Sequence, residues 1–300
     1  MNTKRSGSAE LWLRMFLFIA GGVALAIALE RPLGSVLQQF VGTTPPWLFL
    51  AIASVFGALP LLLAALLAWF VPRPAGRPTA RPAVGSGRIL ALVAGAAVLA
   101  LVLIFAQSGV SSWSDSAGVA TAAASGLTLA LQSLPGALIQ AFIALGILAP
   151  LWGRVLSPAA SGLAAGVTLA LPPALIGLLP WQLSGEAATA WGSTLLGLIV
   201  SGVVWGFLYA GLAALLSGRS VLAATVIGSV VVALALTYTQ LIGLAVSLTV
   251  PAMTQALAPL GLDPGRLIAV LLLGGAALLL SRAGDTSTAR FSATPGPAGA

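Results

Sequence analysis

The sequence predicts an all-α fold, a polytopic transmembrane helical bundle of about eight spans with both termini in the cytoplasm. Three observations lead there. Hydrophobic residues make up 59% of the chain and charged residues 6%, far from the roughly half apolar, quarter charged mix of soluble domains. The apolar residues fall in runs of the length that a bilayer demands, since a helix crossing about 30 Å of hydrocarbon needs about 20 of them. The cations alternate from one set of loops to the other in the pattern that retains Lys and Arg in the cytoplasm.

After a short N-terminus, residues 1–10, the bundle occupies 11–281. The first run, 11–29, follows Lys4 and Arg5 and carries Ala26-Ile27-Ala28 near its end, so it imitates a secretory signal and is read as an uncleaved anchor. Runs at 47–71 and 89–106 flank a loop, 72–88, with prolines at 72, 74, 78 and 82 among its arginines. This loop is expected to be extended and to fix topology. The fourth run, 119–152, is too long for one perpendicular crossing at 1.5 Å per residue. Val119 to Leu134, with Ser125, Thr128, Gln132 and Ser133, is read as an interfacial or tilted approach broken at Pro135, and Gly136 to Trp152 as the span.

The remaining spans are 157–180, 191–216, 221–250 and 266–281, the long seventh bending near Thr237 to Gln240. The tail from 282 to 300, rich in Ser, Thr, Pro, Gly and Ala, is expected to be disordered. With the N-terminus inside, Arg14, Arg73, Arg77, Arg81, Arg88, Arg154, Arg219, Arg282 and Arg290 join Lys4 and Arg5 on the cytoplasmic side, leaving Arg31 and Arg266 outside. Trp47, Trp113, Trp181 and Trp191 then mark one interface and Trp12, Trp69 and Trp152 the other, as aromatic belts do. Trp205 is deeper and expected between helices.

Composition excludes several chemistries. The chain has no histidine and no cysteine, the usual ligands of catalytic zinc, and its six acids stand near the ends of the apolar runs. No cofactor and no metal are expected. Lys4 is the only lysine, so a serine with a lysine or histidine base inside the membrane is ruled out, as is an aspartyl pair. A net charge of +7 reflects topology rather than nucleic acid, since the cations are scattered and not interleaved with aromatics. The expected partners are membrane lipid and a hydrophobic peptide or another membrane protein.

Deep polar residues are few: Gln140, Thr168, Tyr209, Thr237, Tyr238, Thr239 and Gln240. None is ionised at neutral pH, which disfavours coupling to protons or ions. They are read as interhelical hydrogen bonds, with a small polar cavity of Gln140, Tyr209, Thr237, Tyr238 and Gln240 as the alternative. Ser193, Gly197 and Ser201 recur every four residues in the sixth span, where Gly202 and Gly206 form a GxxxG. Gly162 and Gly166 repeat the spacing in the fifth span. Such stripes let helix backbones approach closely, within this chain or in a dimer. Pro172 and Pro173 are expected to kink the fifth span.

From Pro135 to Leu236 the chain resembles the CPBP family of CAAX-protease and bacteriocin-processing intramembrane metalloproteases. QAFIALG, Gln140 to Gly146, matches the family's EExxxRG box in register, with Gln140 and Ala141 at the glutamate positions and Leu145 at the arginine. TLALPPALIGLLP is similar to the helix of the first histidine, which falls at Pro172 or Pro173. Gly211 to Val232 is similar to the glycine turn and last catalytic helix, with Gly228 at the histidine and Val232 at the asparagine. The resemblance implies a protease-dead relative, with Gln140 the main polar group of an otherwise apolar cavity. Partner, peptide or lipid binding, or a regulatory or structural role, is the expected function. The alternatives are a permease for a small neutral or hydrophobic solute and an endopeptidase with atypical ligands.

Overall fold

A computed structural model describes residues 3–70, 84–107, 116–177, 191–249, 251–257 and 263–291. Among the described residues there is no strand. The chain is an all-α, multi-pass integral membrane protein. Its helices are α1 (Thr3–Gln38), α2 (Pro46–Phe70), α3 (Ser86–Gln107), α4 (Ser116–Ala141), a π-helical stretch (Phe142–Leu148), α5 (Ala149–Trp152), α6 (Pro158–Gly177), α7 (Trp191–Leu215), α8 (Val221–Thr249), α9 (Pro251–Leu257) and α10 (Pro264–Phe291). Seven described helices are long and apolar enough to cross a bilayer, and Ile199–Leu215 of α7 forms a further apolar helix just below that length.

Several boundaries differ from the sequence reading, for physical reasons. α1 does not stop at Leu29 but continues through Glu30, Arg31 and Pro32 to Gln38. Charges end the apolar run without ending the helix, because at the interface their side chains remain in water and headgroups. The approach from Val119 to Leu134 is helical, and Pro135 does not break it. The proline removes one ladder bond, while Gly136 lets α4 press on α2, where an added Cβ would stand 3.0 Å from Ser54 Cβ.

The irregularity in this long helix comes seven residues later. In the π-helical stretch the Ala149 N–H donates to Ala144 O, five residues back. Pro150 follows at the start of α5. In α register its ring would meet the Gly146 carbonyl, and the wider turn avoids that clash. Six of the seven π residues, Ile143 to Leu148, are buried.

α8 runs unbroken past Thr237 to Gln240. Thr237 and Thr239 return their hydroxyls to the carbonyls of Ala233 and Ala235, each at 2.9 Å, so both polar groups are satisfied within the helix. α6 likewise passes through Pro172 and Pro173 without interruption. The tail expected to be disordered from 282 is helical to Phe291. Residues 71–83, most of the proline-arginine loop, and 292–300 lie outside the described residues.

The core forms where α6 and α7, α7 and α10, α4 and α8, and α1 and α2 pack in pairs. Small residues set the α6–α7 crossing: a Cβ on Gly162 would overlap the Tyr209 carbonyl and lie 2.7 Å from Ala213 Cβ, and one on Gly166 would overlap Gly206 Cα. Gly202 faces Ala170, and Gly206 faces the Leu163 carbonyl. The stripes read from spacing thus join two helices of one chain. Gly211 and Gly274 make an equivalent approach between α7 and α10.

Candidate functional site

The positions singled out by the sequence resemblance meet in part. α4 delivers Ala141, the π-helical stretch delivers Leu145, and α8 delivers Gly228. A Cβ on Gly228 would overlap Leu145 Cδ1 and stand 3.6 Å from Ala141 Cβ. All three residues are buried, and Val232 one turn further along α8 is fully buried as well. Gln140 is half-buried on α4. Pro172 is buried against α1, its Cβ and Cγ each 3.0 Å from where a Cβ on Gly22 would stand, while Pro173 is exposed.

Ala141, Leu145 and Gly228 bring no ligand atom to this junction, and Leu145 occupies the space beside the glycine. A divalent ion does not fit here. Among the described residues no three His, Cys, Asp or Glu side chains gather anywhere.

The deep polar residues go separate ways. Tyr238 donates its hydroxyl to the Ala96 carbonyl on α3. Gln132 Nε2 lies 3.5 Å from Gln240 Oε1, and Gln240 is exposed. Thr168 donates to Ala164 O and accepts from Trp152 Nε1 at 3.1 Å. Tyr209 is buried, and among the described residues its hydroxyl has no hydrogen-bond partner. Gly197 is buried on α7, and Ser201, read as a packing residue, accepts from Arg266 Nη1 at 3.1 Å.

A cavity of about 370 Å³ opens elsewhere, between α1, α2 and the end of α6. Its volume falls within the roughly 300–1,000 Å³ of small-molecule sites. Ile27, Phe56, Pro60 and Ile176 give it apolar walls, and Glu30 is its one ionisable residue. None of the five residues proposed for a polar cavity lines it. Sequence reasoning missed it because it treated the first span as ending before Glu30.

Sequence reasoning also treated Arg14 as a topogenic cation only. Its side chain is sealed from solvent, with Nη2 2.5 Å from Glu10 Oε1 and Nη1 3.2 Å from Ala68 O at the end of α2. Arg154 reaches the same carboxylate at 3.3 Å. At this end Trp12 and Trp152 meet edge to face, with centroids 6.0 Å apart. Arg219 Nη2 donates to Val84 O at 2.6 Å and to Ser86 Oγ at 3.0 Å, and Arg88 Nη1 donates to Leu280 O at 3.5 Å. Cations assigned to one side of the membrane thus tie helix ends together. The spacing of Glu10 and Arg14, four apart, was the available signal.

Compared with protein-family models, curated proteins and solved structures, the chain matches none.

Proposed function

We propose that this protein is a non-catalytic component of the plasma membrane, both termini cytoplasmic, built on a scaffold related to the CPBP proteases and holding a hydrophobic ligand instead of cleaving one. The observation that carries the reading is the filling of the Ala141–Gly228 junction by Leu145. Where the family resemblance calls for carboxylate and imidazole around a metal-bound water, this chain has methyl groups and no room. Ligand binding draws support from the α1–α2 cavity, whose walls are apolar and include none of the junction residues. A permease has less behind it, since Thr237, Thr239 and Tyr238 spend their hydroxyls on backbone carbonyls.

The test is mass spectrometry of the intact protein released from mild detergent. The reading expects a lipid or hydrophobic peptide retained with the chain, and no cleavage of a transmembrane peptide. Cleavage that a chelator stops would replace this reading with an enzyme.

A further inference from the structure

We infer that the α1–α2 cavity is a binding site for a phospholipid with a primary ammonium headgroup, its acyl chain between the helices and its headgroup on Glu30 and Arg31. The inference rests on the ligand-binding reading above and names its ligand class and place.

Depth comes first. Glu10 and Glu30 are both on α1 and twenty residues apart, which is about 30 Å of helix, one hydrocarbon thickness. Glu10 is held by Arg14 and Arg154 at one face of the membrane, so Glu30 lies at the other. The cavity straddles that boundary. Ala26, Ile27, Phe56, Gly57 and Pro60 line its part toward the bilayer interior, and Leu33, Gly34 and Leu37 its part beyond Glu30. An amphipath with its charged group at Glu30 and its chain running toward Ile27, Phe56 and Pro60 fits this lining.

The glycines come second. Elsewhere in the bundle, Gly162, Gly166, Gly206, Gly211 and Gly274 are places where a side chain would strike a neighbouring helix. Gly34 and Gly57 line the cavity from opposite helices, and a Cβ on either would meet nothing within 4 Å. They serve no close helix approach, yet a glycine inside a helix is less stable than alanine. A side chain at either position would take up space in the cavity. Pro60 acts alongside them, because it has no N–H to give the Phe56 carbonyl four residues earlier on the same wall.

Charge comes third. Glu30, which lines the cavity, and Arg31, which stands beside its mouth on the next position of α1, are exposed and opposite in sign, and among the described residues neither forms an ion pair or side-chain hydrogen bond. The other cation read as lying on this side, Arg266, is engaged by Ser201. A phosphoethanolamine headgroup carries the complementary pair: an ammonium that donates to the Glu30 carboxylate and a phosphate that accepts from the Arg31 guanidinium. An anionic lipid would satisfy only Arg31 and place a negative charge beside Glu30.

The experiment incubates the full-length protein with equal amounts of phosphatidylethanolamine, phosphatidylcholine and phosphatidylglycerol, and counts retained lipids by native mass spectrometry. The expected result is about a tenfold preference for phosphatidylethanolamine, the size of one charged hydrogen bond. Glu30→Gln should abolish the preference, and Arg31→Gln, which loses a contact to the phosphate common to all three lipids, should lower the retention of all three alike. Gly57→Leu, which builds into the open space, should remove the lipid, whereas Gly275→Leu, at another glycine with nothing within 4 Å, should keep it. Equal retention of the three lipids, a preference that survives Glu30→Gln, retention unchanged by Arg31→Gln, or retention by Gly57→Leu would overturn this inference and leave ligand binding standing. Retention of no lipid or peptide at all would take the broader reading down with it.

Discussion

Arg14 Nη2 lies 2.5 Å from Glu10 Oε1, one turn apart on α1, with the arginine side chain fully shielded from solvent. A guanidinium in that position is tolerable only while its partner is ionised and close, because a buried unpaired charge is costly. Glu10→Ala takes the carboxylate away from the buried Arg14 guanidinium and is expected to cost about 3 kcal/mol. Arg14→Met leaves Glu10 with Arg154 and costs less. Arg154, with 37% of its side chain exposed, costs under about 1 kcal/mol when cut to alanine. Thermal unfolding in detergent should therefore rank the losses Glu10, Arg14, Arg154, and a larger loss at Arg154 than at Glu10 would contradict the buried pair.

The α6–α7 crossing predicts a contrast between glycines. Gly162→Ala puts a methyl into the Tyr209 carbonyl and is expected to destabilise by about 1–3 kcal/mol through overpacking. Gly57→Ala meets nothing and should shift stability by less than about 1 kcal/mol, in the stabilising direction. Comparable losses at both positions, read by the same unfolding assay, would remove the distinction between packing glycines and cavity glycines.

Leu145 and Gly228 compete for one space. Gly228→Ala alone is expected to cost about 1–2 kcal/mol, and Leu145→Ala alone about 2–4 kcal/mol for the void it leaves. The double variant should be more stable than their sum by at least about 0.5 kcal/mol. Strict additivity in that cycle would mean that the two side chains do not share the junction.

The two tyrosines should respond oppositely to loss of the hydroxyl. Tyr238 gives its hydroxyl to Ala96 O, so Tyr238→Phe is expected to cost about 0.6–1 kcal/mol. Tyr209 is buried, and among the described residues its hydroxyl has no partner, so Tyr209→Phe removes an uncompensated desolvation and should be neutral or stabilising. A loss at Tyr209 equal to that at Tyr238 would reveal a partner for the first hydroxyl.

The helices were legible because hydropathy and length are local properties of the chain. The α6–α7 seam was legible too: Gly162, Gly166, Gly202 and Gly206 repeat at four residues, and the structure brings them together. Gly211 and Gly274 make an equally close approach, but each stands without a four-residue repeat in its own helix, so no spacing marked them as packing residues. The end set for the first run at residue 29 and the break expected at Pro135 both misled. A helix at an interface keeps its ladder while its charges reach water, and one lost bond is offset by neighbouring helices. The π-helical stretch depends on where Pro150 falls relative to Gly146 and has no hydropathy signature. Arg14 counted as a loop cation because burial of a charge is decided by Glu10, Ala68 and Arg154, two of them far away in sequence.

The most direct test of a non-catalytic interior is elemental analysis of the purified chain after expression in zinc-supplemented medium, paired with incubation against a transmembrane peptide. The account predicts zinc far below one ion per chain and an intact peptide. Stoichiometric zinc held through dialysis, together with peptide cleavage that a chelator abolishes, would contradict it.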